Sequence, residues 1–329
     1  MAMVALVDPA LARLVPRFVE RLPGASVDAV RDFSPEELAR VAGDAVVFVN
    51  ARRPIDTAAL AAAPHLRLVQ AIGVGIDSVD QAALAAAGVA LAFNPGVNRT
   101  GAAEQTIMLI LALIKRLPAS EDVTRAGRFA PAEVIEQGID DLADATVGIV
   151  GMGQIAEAVA ERLAPFGSTL VYHARRDHRE VEARLGLRRL PLPDLLRVSN
   201  VVTLHVPLTP ETHHLIGAEE LAAMPRGSWL INAGRGGLVD EAALRTAVLD
   251  GHLAGAALDV VENETSGRNP FADVPAILVT PHLGGGSRNS MNGVVERCTA
   301  NIRRLLAREP LRDEVLAERR RAPAGDTTP

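Results

Sequence analysis

Cysteine is almost absent from the sequence, and so are long apolar runs and any excess of positive charge. The single cysteine, Cys298, excludes an intramolecular disulfide framework and is typical of a reducing compartment. The longest uninterrupted apolar run, 107–114, is far shorter than the roughly 20 residues that cross a bilayer. The formal net charge of -6 gives no sign of the excess positive charge that binds nucleic acid or an anionic membrane. We therefore expect neither nucleic acid nor a membrane as a partner.

The beginning of the sequence also lacks the features of a targeting signal. No basic region precedes its first apolar run, and Asp8 comes too early for a secretory signal peptide. We therefore expect a cytoplasmic protein. At 329 residues the chain exceeds the size at which one hydrophobic core usually stops growing, so two domains are expected.

Strand and helix signals alternate in two blocks along the chain. Short apolar runs are separated by stretches with helical spacing, which is typical of βαβ units and parallel sheets. In the first block the predicted strands are Val4–Val7, Val46–Val49, Leu68–Ala71 and Val89–Phe93. In the second they are Val147–Val150, Leu170–Tyr172, Val201–Leu204, Trp229–Asn232, Ala256–Val260 and Ile277–Thr280. The predicted fold class is α/β, with two Rossmann-like or flavodoxin-like domains built on doubly wound parallel sheets.

Three other segments organise these blocks. Residues 102–117 are apolar almost all round and predict a helix buried in the core or against another subunit. Residues 118–144 are polar, carry proline and glycine, and predict a connection. Residues 287–308 place their apolar side chains on one face and predict a closing helix that returns to the first block. We therefore predict a discontinuous substrate domain, 1–99 with 284–329, and a dinucleotide-binding domain, 100–283.

Two local predictions complete this outline. Ser34 is predicted to cap a helix, with Glu37 as its capping-box partner. The short basic cluster Arg319–Arg321 is interpreted as part of a solvated tail, and the residues after it are predicted to be disordered.

A dinucleotide-binding fingerprint follows the first strand of the second block. Gly151 and Gly153 occupy the first two places of G-x-G-x-x-G/A, and Ala156 occupies the third. The first glycine allows a tight turn, the second lets backbone approach a pyrophosphate, and the alanine lets helix and strand pack closely. The helix that begins at Gln154 and Ile155 offers free N–H groups and the positive end of its dipole. The alternative is a simple glycine turn, but strand, loop and helix in register favour a cofactor site.

The next strand end bears on the choice of cofactor. NAD-binding folds usually carry an acid about 20 residues past the glycines, where it binds the ribose 2′-OH. Here His173 and Ala174 take that place, Arg175 and Arg176 follow, and Asp177 falls beyond the strand. Two guanidinium groups suit a 2′-phosphate. The pattern favours NADP(H), bound near Ala174 by the two arginines, with NAD(H) or a solvated basic loop as alternatives.

Arg235, Glu264 and His282 follow the C-terminal ends of three predicted strands, where open α/β sheets bind ligands. An arginine can bind a substrate carboxylate or polarise a carbonyl. A histidine can give the proton that accompanies a hydride, and a carboxylate can orient the ring and favour its protonated form. Taken singly, each residue is also compatible with a structural role. Together they suit hydride transfer to a carbonyl, and no metal site is predicted.

The ordered series of motifs resembles the D-isomer-specific 2-hydroxyacid dehydrogenase family over nearly the whole chain. The matching segments are Val69–Asp77, Ala103–Glu104, Thr146–Ala156, His205–Thr212, Asn232–Asp240, Gly255–Asp259, Thr280–Gly285 and Asn301–Leu311. The resemblance implies an oxidoreductase and a homodimer. Such an enzyme transfers a hydride between NAD(P)H and a small 2-oxo acid, such as glyoxylate, hydroxypyruvate or pyruvate, to give a D-2-hydroxy acid. It makes Arg235, Glu264 and His282 the catalytic trio.

The same resemblance implies further binding residues. The nicotinamide side should be lined by His205, Val206, Pro207, Thr212, Ala233, Gly234, Asp259 and Gly284. The backbone N–H groups of Val74 and Gly75 should hold the substrate carboxylate, together with Arg235 and His282. Arg52 is assigned to the substrate side because it lies near the expected substrate loop.

Several alternatives stay open. Arg52 and Arg53 near that loop suit a phosphoglycerate dehydrogenase. The family also resembles corepressors that sense NAD(H) and act by recruiting partners. Formate and phosphite dehydrogenases share the fold. Glu264 argues against a formate dehydrogenase, whose pattern has a neutral amide at that place, whereas the trio leaves a phosphite dehydrogenase open. Thr265 departs from the family, where proline commonly follows the catalytic glutamate, so the loop after it is expected to differ locally.

Overall fold

The computed structural model describes residues 2–315, so the predicted basic tail lies outside the described residues. These residues form two compact units, one of 2–97 with 288–315 and the other of 98–287. The first unit is therefore discontinuous in sequence. The predicted domain limits, 99/100 and 283/284, lie a few residues from these joints. Each joint falls just before a long helix, at Arg99 and at Arg288.

The first unit is a five-stranded parallel sheet with helices on both faces. Its strands are β1 Ala2–Leu6, β2 Ala25–Ala29, β3 Ala45–Asn50, β4 Leu68–Ala71 and β5 Ala90–Ala92. Its helices are α1 Val15–Arg21, α2 Pro35–Ala42, α3 Thr57–Ala61, α4 Gln81–Ala86 and α13 Arg288–Ala307. The order β2-β1-β3-β4-β5 is the flavodoxin type of doubly wound sheet.

Strand β3 shows how both faces of this sheet are filled. Phe48 packs into the hydrophobic cluster on one face, whereas Val47 and Val49 pack into the cluster on the other. This alternation is the two-residue period of a strand that is buried on both sides. Helix α13 completes the second cluster with Val295 and Cys298, which confirms the predicted closing helix.

The second unit is a seven-stranded parallel sheet. Its strands are β6 Thr146–Val150, β7 Thr169–His173, β8 Arg188–Arg189, β9 Val201–Leu204, β10 Trp229–Asn232, β11 Gly255–Leu258 and β12 Ile277–Val279. Its helices are α5 Arg99–Ile114, α6 Leu117–Arg125, α7 Pro131–Ile135, α8 Gln154–Leu163, α9 Arg179–Leu185, α10 Leu192–Val198, α11 Ala218–Ala223 and α12 Glu241–Leu249. In the order β12-β11-β10-β9-β6-β7-β8, the chain direction across the sheet reverses between β6 and β9. Open α/β sheets bind ligands at the carboxyl ends of the strands beside such a switch point.

The predicted fold class is confirmed, but two strands were missed. Strand β2 is only partly buried and includes Asp28, and β8 consists of two exposed arginines. Both lie at sheet edges, where one side of the strand has no partner strand within residues 2–315. An edge strand does not need a continuous apolar run, so a pattern of buried apolar residues does not predict β2 or β8.

The interpretation of 118–144 as a plain connection is wrong. Helix α6 occupies its first part and α7 follows at Pro131. The prolines stand in the first turn of each helix, where a missing N–H costs no hydrogen bond. Helix α5 also begins earlier than predicted, at Arg99, and ends at Ile114, before a left-handed residue at Arg116.

Ser34 caps α2 as predicted, accepting a hydrogen bond from the Glu37 N–H at 3.2 Å. The capping box is wrong. The Glu37 carboxylate binds the backbone N–H of Arg31 and the guanidinium groups of Arg31 and Arg40, which hold the pKa of Glu37 well below its usual range. Among residues 2–315, no helix combines the length and the apolar character that a membrane span requires.

Candidate active site

The glycine fingerprint forms the turn between β6 and α8. Gly151 has a φ of 101°, and a Cβ there would lie 2.6 Å from the carbonyl oxygen of His205, so only glycine fits. Gly153 precedes the first turn of α8, and a Cβ added there would meet nothing within 4 Å. Ala156 is fully buried, which lets α8 lie close to the sheet. Because Gly153 brings no side chain to cap α8, the first N–H groups of Gln154 and Ile155 suit a pyrophosphate.

Beyond β7 the chain carries the basic segment of the predicted cofactor site. Arg175 and Arg176 are exposed, and Ala174 is half-buried. Asp177 lies past the end of the strand, as the sequence predicted, and its carboxylate accepts a 2.5 Å hydrogen bond from Arg189. Arg189 also donates to the Ala174 carbonyl at 3.0 and 2.7 Å. Sequence reasoning missed Arg189, since its strand β8 carries no apolar signal.

The segment after β9 holds the next predicted cofactor residues. The His205 N–H donates to the Val150 carbonyl at 2.7 Å, which ties this segment to the glycine turn. Burial lowers the pKa of His205 from 6.5 to about 4, so the ring is neutral at physiological pH. Val206 and Pro207 follow, and the Thr212 hydroxyl donates to the Pro207 carbonyl at 2.7 Å. The side chain of Thr212 therefore folds the loop back on itself.

Arg235 stands on a tight loop after β10. The Asn232 side chain spans this loop, accepting from the Gly234 N–H at 3.0 Å and donating to the Arg235 carbonyl at 2.8 Å. Ala233 and Gly234 are half-buried between them. A Cβ on Gly236 would lie 2.1 Å from the backbone carbon of Val261, so this glycine permits close contact with the segment after β11. The Arg235 loop and the segment that leads to Glu264 are thus packed backbone to backbone.

Asp259 organises the loop that carries His282. Its carboxylate is buried and accepts hydrogen bonds from the N–H groups of Leu283 and Gly284 at 2.9 and 2.8 Å. The Thr280 hydroxyl donates to it at 2.5 Å, and the Gln105 amide does so at 3.1 Å. Sequence reasoning placed Asp259 and Gly284 at the nicotinamide but missed Gln105. The sequence signal for Gln105 was weak, since Glu104 and Thr106 are polar neighbours in the same helix.

His282 and Glu264 are in direct contact. The His282 Nδ1 lies 2.7 Å from Glu264 Oε2, and the side chains are 30% and 17% exposed. The backbone of His282 has a φ of 55°, a left-handed conformation that is uncommon outside glycine, and its N–H donates to the Asp259 carbonyl at 2.8 Å. A carboxylate on Nδ1 fixes the ring and leaves Nε2 to face a reactant. The second unit therefore holds a built acid–base pair.

The predicted substrate residues of the first unit differ from one another in exposure and in hydrogen-bond partners. Val74 and Gly75 follow β4 on an irregular loop, and Val74 is 43% exposed. The Arg52 Nε and Nη2 bind both carboxylate oxygens of the buried Asp8 at 2.9 and 3.0 Å. Arg53 is buried and donates to three backbone carbonyls, so it supports the turn after β3. The pair of arginines that suggested a phosphoglycerate substrate is thus largely engaged within the protein.

Residues 107–284 match the family model described as D-isomer specific 2-hydroxyacid dehydrogenase, NAD binding domain. The chain belongs to this family. The matched range runs from within α5 through the glycine turn to His282, so it contains the predicted cofactor residues and the predicted trio. The sequence resemblance and the site geometry therefore agree with the match.

Curated relatives and solved structures of the family extend over most of the chain. The D-3-phosphoglycerate dehydrogenase of Mycobacterium tuberculosis is 36% identical over 283 residues, which are 84% of this chain and 52% of that protein. The chain thus spans about half the length of these relatives. Glyoxylate/hydroxypyruvate reductase B of Escherichia coli is 35% identical over 304 residues, 91% of each protein. The D-lactate dehydrogenase from Aquifex aeolicus, complexed with NAD and lactic acid, superposes with a TM-score of 0.82 and 27% identity, covering 93% of this chain and 96% of that one.

Proposed function

We propose that the protein is an NAD(P)-dependent D-2-hydroxyacid dehydrogenase that reduces small 2-oxo acids or runs the reverse reaction. The observation that carries the proposal is the 2.7 Å contact between His282 Nδ1 and Glu264 Oε2, which leaves Nε2 to exchange a proton with a carbonyl oxygen. Glu264 holds the ring in this orientation through the same contact. Arg235, on the loop packed against the Glu264 segment, binds the substrate carboxylate.

The cofactor assignment rests on the glycine turn and the basic segment after β7. The residues fit a dinucleotide: Gly151 and Gly153 leave room, and the start of α8 offers N–H groups to a pyrophosphate. When bound, the nicotinamide ring supplies or accepts the hydride. Asp177 is neutralised by Arg189, so Arg175 and Arg176 dominate the local charge, which supports NADP(H) over NAD(H). His205, half-buried and neutral, and Thr212 shape the wall on the nicotinamide side.

The substrate assignment is a small 2-oxo acid, such as glyoxylate, hydroxypyruvate or pyruvate. We assign carboxylate binding to Arg235 together with the backbone N–H groups of Val74 and Gly75. The bidentate pair between Arg52 and Asp8 removes the main sequence argument for a phosphorylated substrate. Reductase B of Escherichia coli, similar along almost its whole length, bears a name that fits the same substrate class.

We also propose a homodimer formed through α5. An open apolar groove of about 600 Å³ lies beside this helix, and its lining includes Met108, Leu111, Leu117 and Phe166. Met108, Leu117 and Phe166 are 42%, 55% and 42% exposed. Exposed apolar patches of this kind are typical of interaction sites. A second copy of the same helix is the occupant that the resemblance implies.

A panel of 2-oxo acids, assayed separately with NADH and NADPH, tests the proposed function. We expect oxidation of the reduced cofactor with at least one of glyoxylate, hydroxypyruvate and pyruvate. Activity should be lost in His282→Ala and kept in His65→Gln, which changes an exposed histidine of the first unit. Full activity in His282→Ala, or no oxidation of either cofactor with any acid of the panel, would contradict the proposal.

A further inference from the structure

Outside the proposed active site, three side chains of types that commonly bind metal ions lie close together in the unit of 98–287. The potential ligand atoms of His213, His214 and Glu262 all lie within 4.8 Å of one another. The His214 Nε2 is 2.7 Å from Glu262 Oε1, and the His213 Nε2 is 3.9 Å from the same oxygen. We propose that these three residues bind a divalent transition-metal ion of the zinc class. The proposal does not depend on the dehydrogenase function.

The ligand set determines which ions are expected. Two imidazole nitrogens and one carboxylate oxygen suit Zn²⁺, Ni²⁺ or Cu²⁺, whereas Mg²⁺ and Ca²⁺ prefer oxygen ligands alone. Three protein ligands leave a position for water, as in zinc sites with an open coordination place. On binding, the 2.7 Å contact between His214 and Glu262 would give way to bonds from both groups to the ion.

All three side chains must adjust slightly to hold one ion, and His213 has the most freedom to do so. The two imidazole rings are stacked, with centroids 3.9 Å apart and planes 24° from parallel. The His213 side chain is 56% exposed and can turn about its own bonds to direct Nε2 inward. A rotation of an exposed side chain is fast and costs little.

The backbones that carry the other two ligands are already fixed. His214 has a left-handed φ of 52°, and its N–H donates to the Gly237 carbonyl at 2.8 Å. The Glu262 N–H donates to the Glu241 carboxylate at 2.8 Å. An uncommon φ in a non-glycine residue persists only where the surroundings hold it, and here it brings His214 next to Glu262. The arrangement is therefore prepared before any ion arrives.

The position of the group predicts what an ion would do to the protein. His213 and His214 follow β9, whereas Glu262 follows β11, and the loop of Gly236 and Gly237 is packed between these segments. An ion bound by all three would cross-link the two segments on either side of the loop that begins with Arg235. The direct consequence is a higher melting temperature, because an ion that binds only the folded state stabilises it by mass action.

Titration of the chelator-treated full-length protein with Zn²⁺, in competition with a chromophoric chelator, tests the site. We expect the wild type to bind the ion and its melting temperature to rise with Zn²⁺. His214→Gln and Glu262→Gln should each weaken binding about tenfold or more and remove the rise in melting temperature. His213→Gln should act in the same direction. All three changes are at partly exposed side chains, and the melting temperature without zinc shows whether each variant is folded.

Two matched variants separate this site from other histidines. His65→Gln changes an exposed histidine in the other unit, and His282→Gln removes the ring of the His282–Glu264 pair. Both should bind Zn²⁺ like the wild type. Equal affinity in Glu262→Gln and the wild type, loss of binding in His282→Gln, or no binding by the wild type would each overturn the proposal.

Discussion

Gln105 and Asp259 lie 154 residues apart in the sequence, yet the Gln105 Nε2 is 3.1 Å from the Asp259 carboxylate. The same amide donates to the Thr280 hydroxyl at 3.0 Å. Through these two contacts a residue of α5 supports the loop that carries His282, although it does not reach the imidazole. A polar position of this helix thus has specific partners in the loop that carries His282.

Gln105→Leu should lower kcat/KM for 2-oxo acid reduction by about tenfold. Hydrogen bonds to a charged group contribute roughly 1.5–3 kcal/mol, and losing one loosens the Asp259 carboxylate and the loop behind it. Steady-state kinetics with varied cofactor and varied acid measures the effect. Met108→Leu, an apolar change on the same helix, is the control and should behave like the wild type. Unchanged kinetics in a folded Gln105→Leu would show that Asp259 holds the loop without this donor.

His282→Ala should reduce kcat by about 10²–10⁴-fold, the usual cost of losing a general acid, while cofactor affinity stays close to the wild type. Glu264→Gln should behave differently, because the amide can still orient the ring but no longer stabilises a positive charge on it. Its kcat for reduction should therefore fall by a smaller factor than that of His282→Ala. Steady-state kinetics of the two variants and the wild type measures the difference. An unchanged kcat in a folded Glu264→Gln would reduce the proposed trio to Arg235 and His282.

Replacing Arg175 and Arg176 together by alanine should weaken NADPH binding much more than NADH binding. Only NADPH carries a 2′-phosphate, and a charge-assisted contact of this kind is worth roughly 1.5–3 kcal/mol, or about one to two decades in affinity. Fluorescence titration with each cofactor measures the two losses. Arg179→Ala, an exposed arginine on the next helix, is the control. Equal losses for both cofactors would favour NAD(H) as the natural partner.

Met108→Glu combined with Phe166→Glu should convert the proposed dimer to a monomer. Both side chains are exposed along the α5 groove, and burying two carboxylates against an apolar partner is strongly unfavourable. Light scattering at micromolar concentration measures the mass of the wild type and the variant. Leu249→Glu places the same charge on an exposed apolar position of α12 and should stay dimeric. A monomeric wild type would refute the proposed interface.

Cys298 should resist thiol reagents in the native protein. Burial raises the pKa of Cys298 from 9.0 to about 12, so the reactive thiolate is scarce, and the side chain is fully covered. We expect native labelling at least roughly a thousandfold slower than that of a free thiol, and one equivalent of label once the protein is unfolded in urea. Since this is the only cysteine, the labelling rate reports on opening of α13. Rapid labelling without denaturant would mean that the helix detaches readily from its sheet.

The sequence predicted those parts of the molecule whose signals are local. The glycine turn, the buried strands and the closing helix each follow from a pattern within a few residues, and the structure contains them all. Arg53 shows what local patterns cannot predict. This charged residue lies beside the expected substrate loop in the sequence, but its side chain is buried and donates hydrogen bonds to three backbone carbonyls. Gln105 and Arg189 act through partners far away in the chain, so neither could be recognised before the fold was known. The helices that begin beside Pro118 and Pro131 were missed for a different reason. Proline occurs both after the end of a helix and in its first turn, so its presence alone does not distinguish a connection from a helix start.

The discontinuous unit receives helix α13 only after the whole of the intervening unit has been made. Its second hydrophobic cluster includes Met291, Val294, Val295, Cys298 and Ile302 of α13. On the ribosome, residues 2–97 emerge early but cannot finish that core until the whole of 98–287 has been made. The intervening unit can therefore complete its own sheet first, while one face of the earlier sheet waits uncovered. A translation product that stops before α13 would leave this apolar face uncovered, which is the kind of surface through which folding intermediates aggregate.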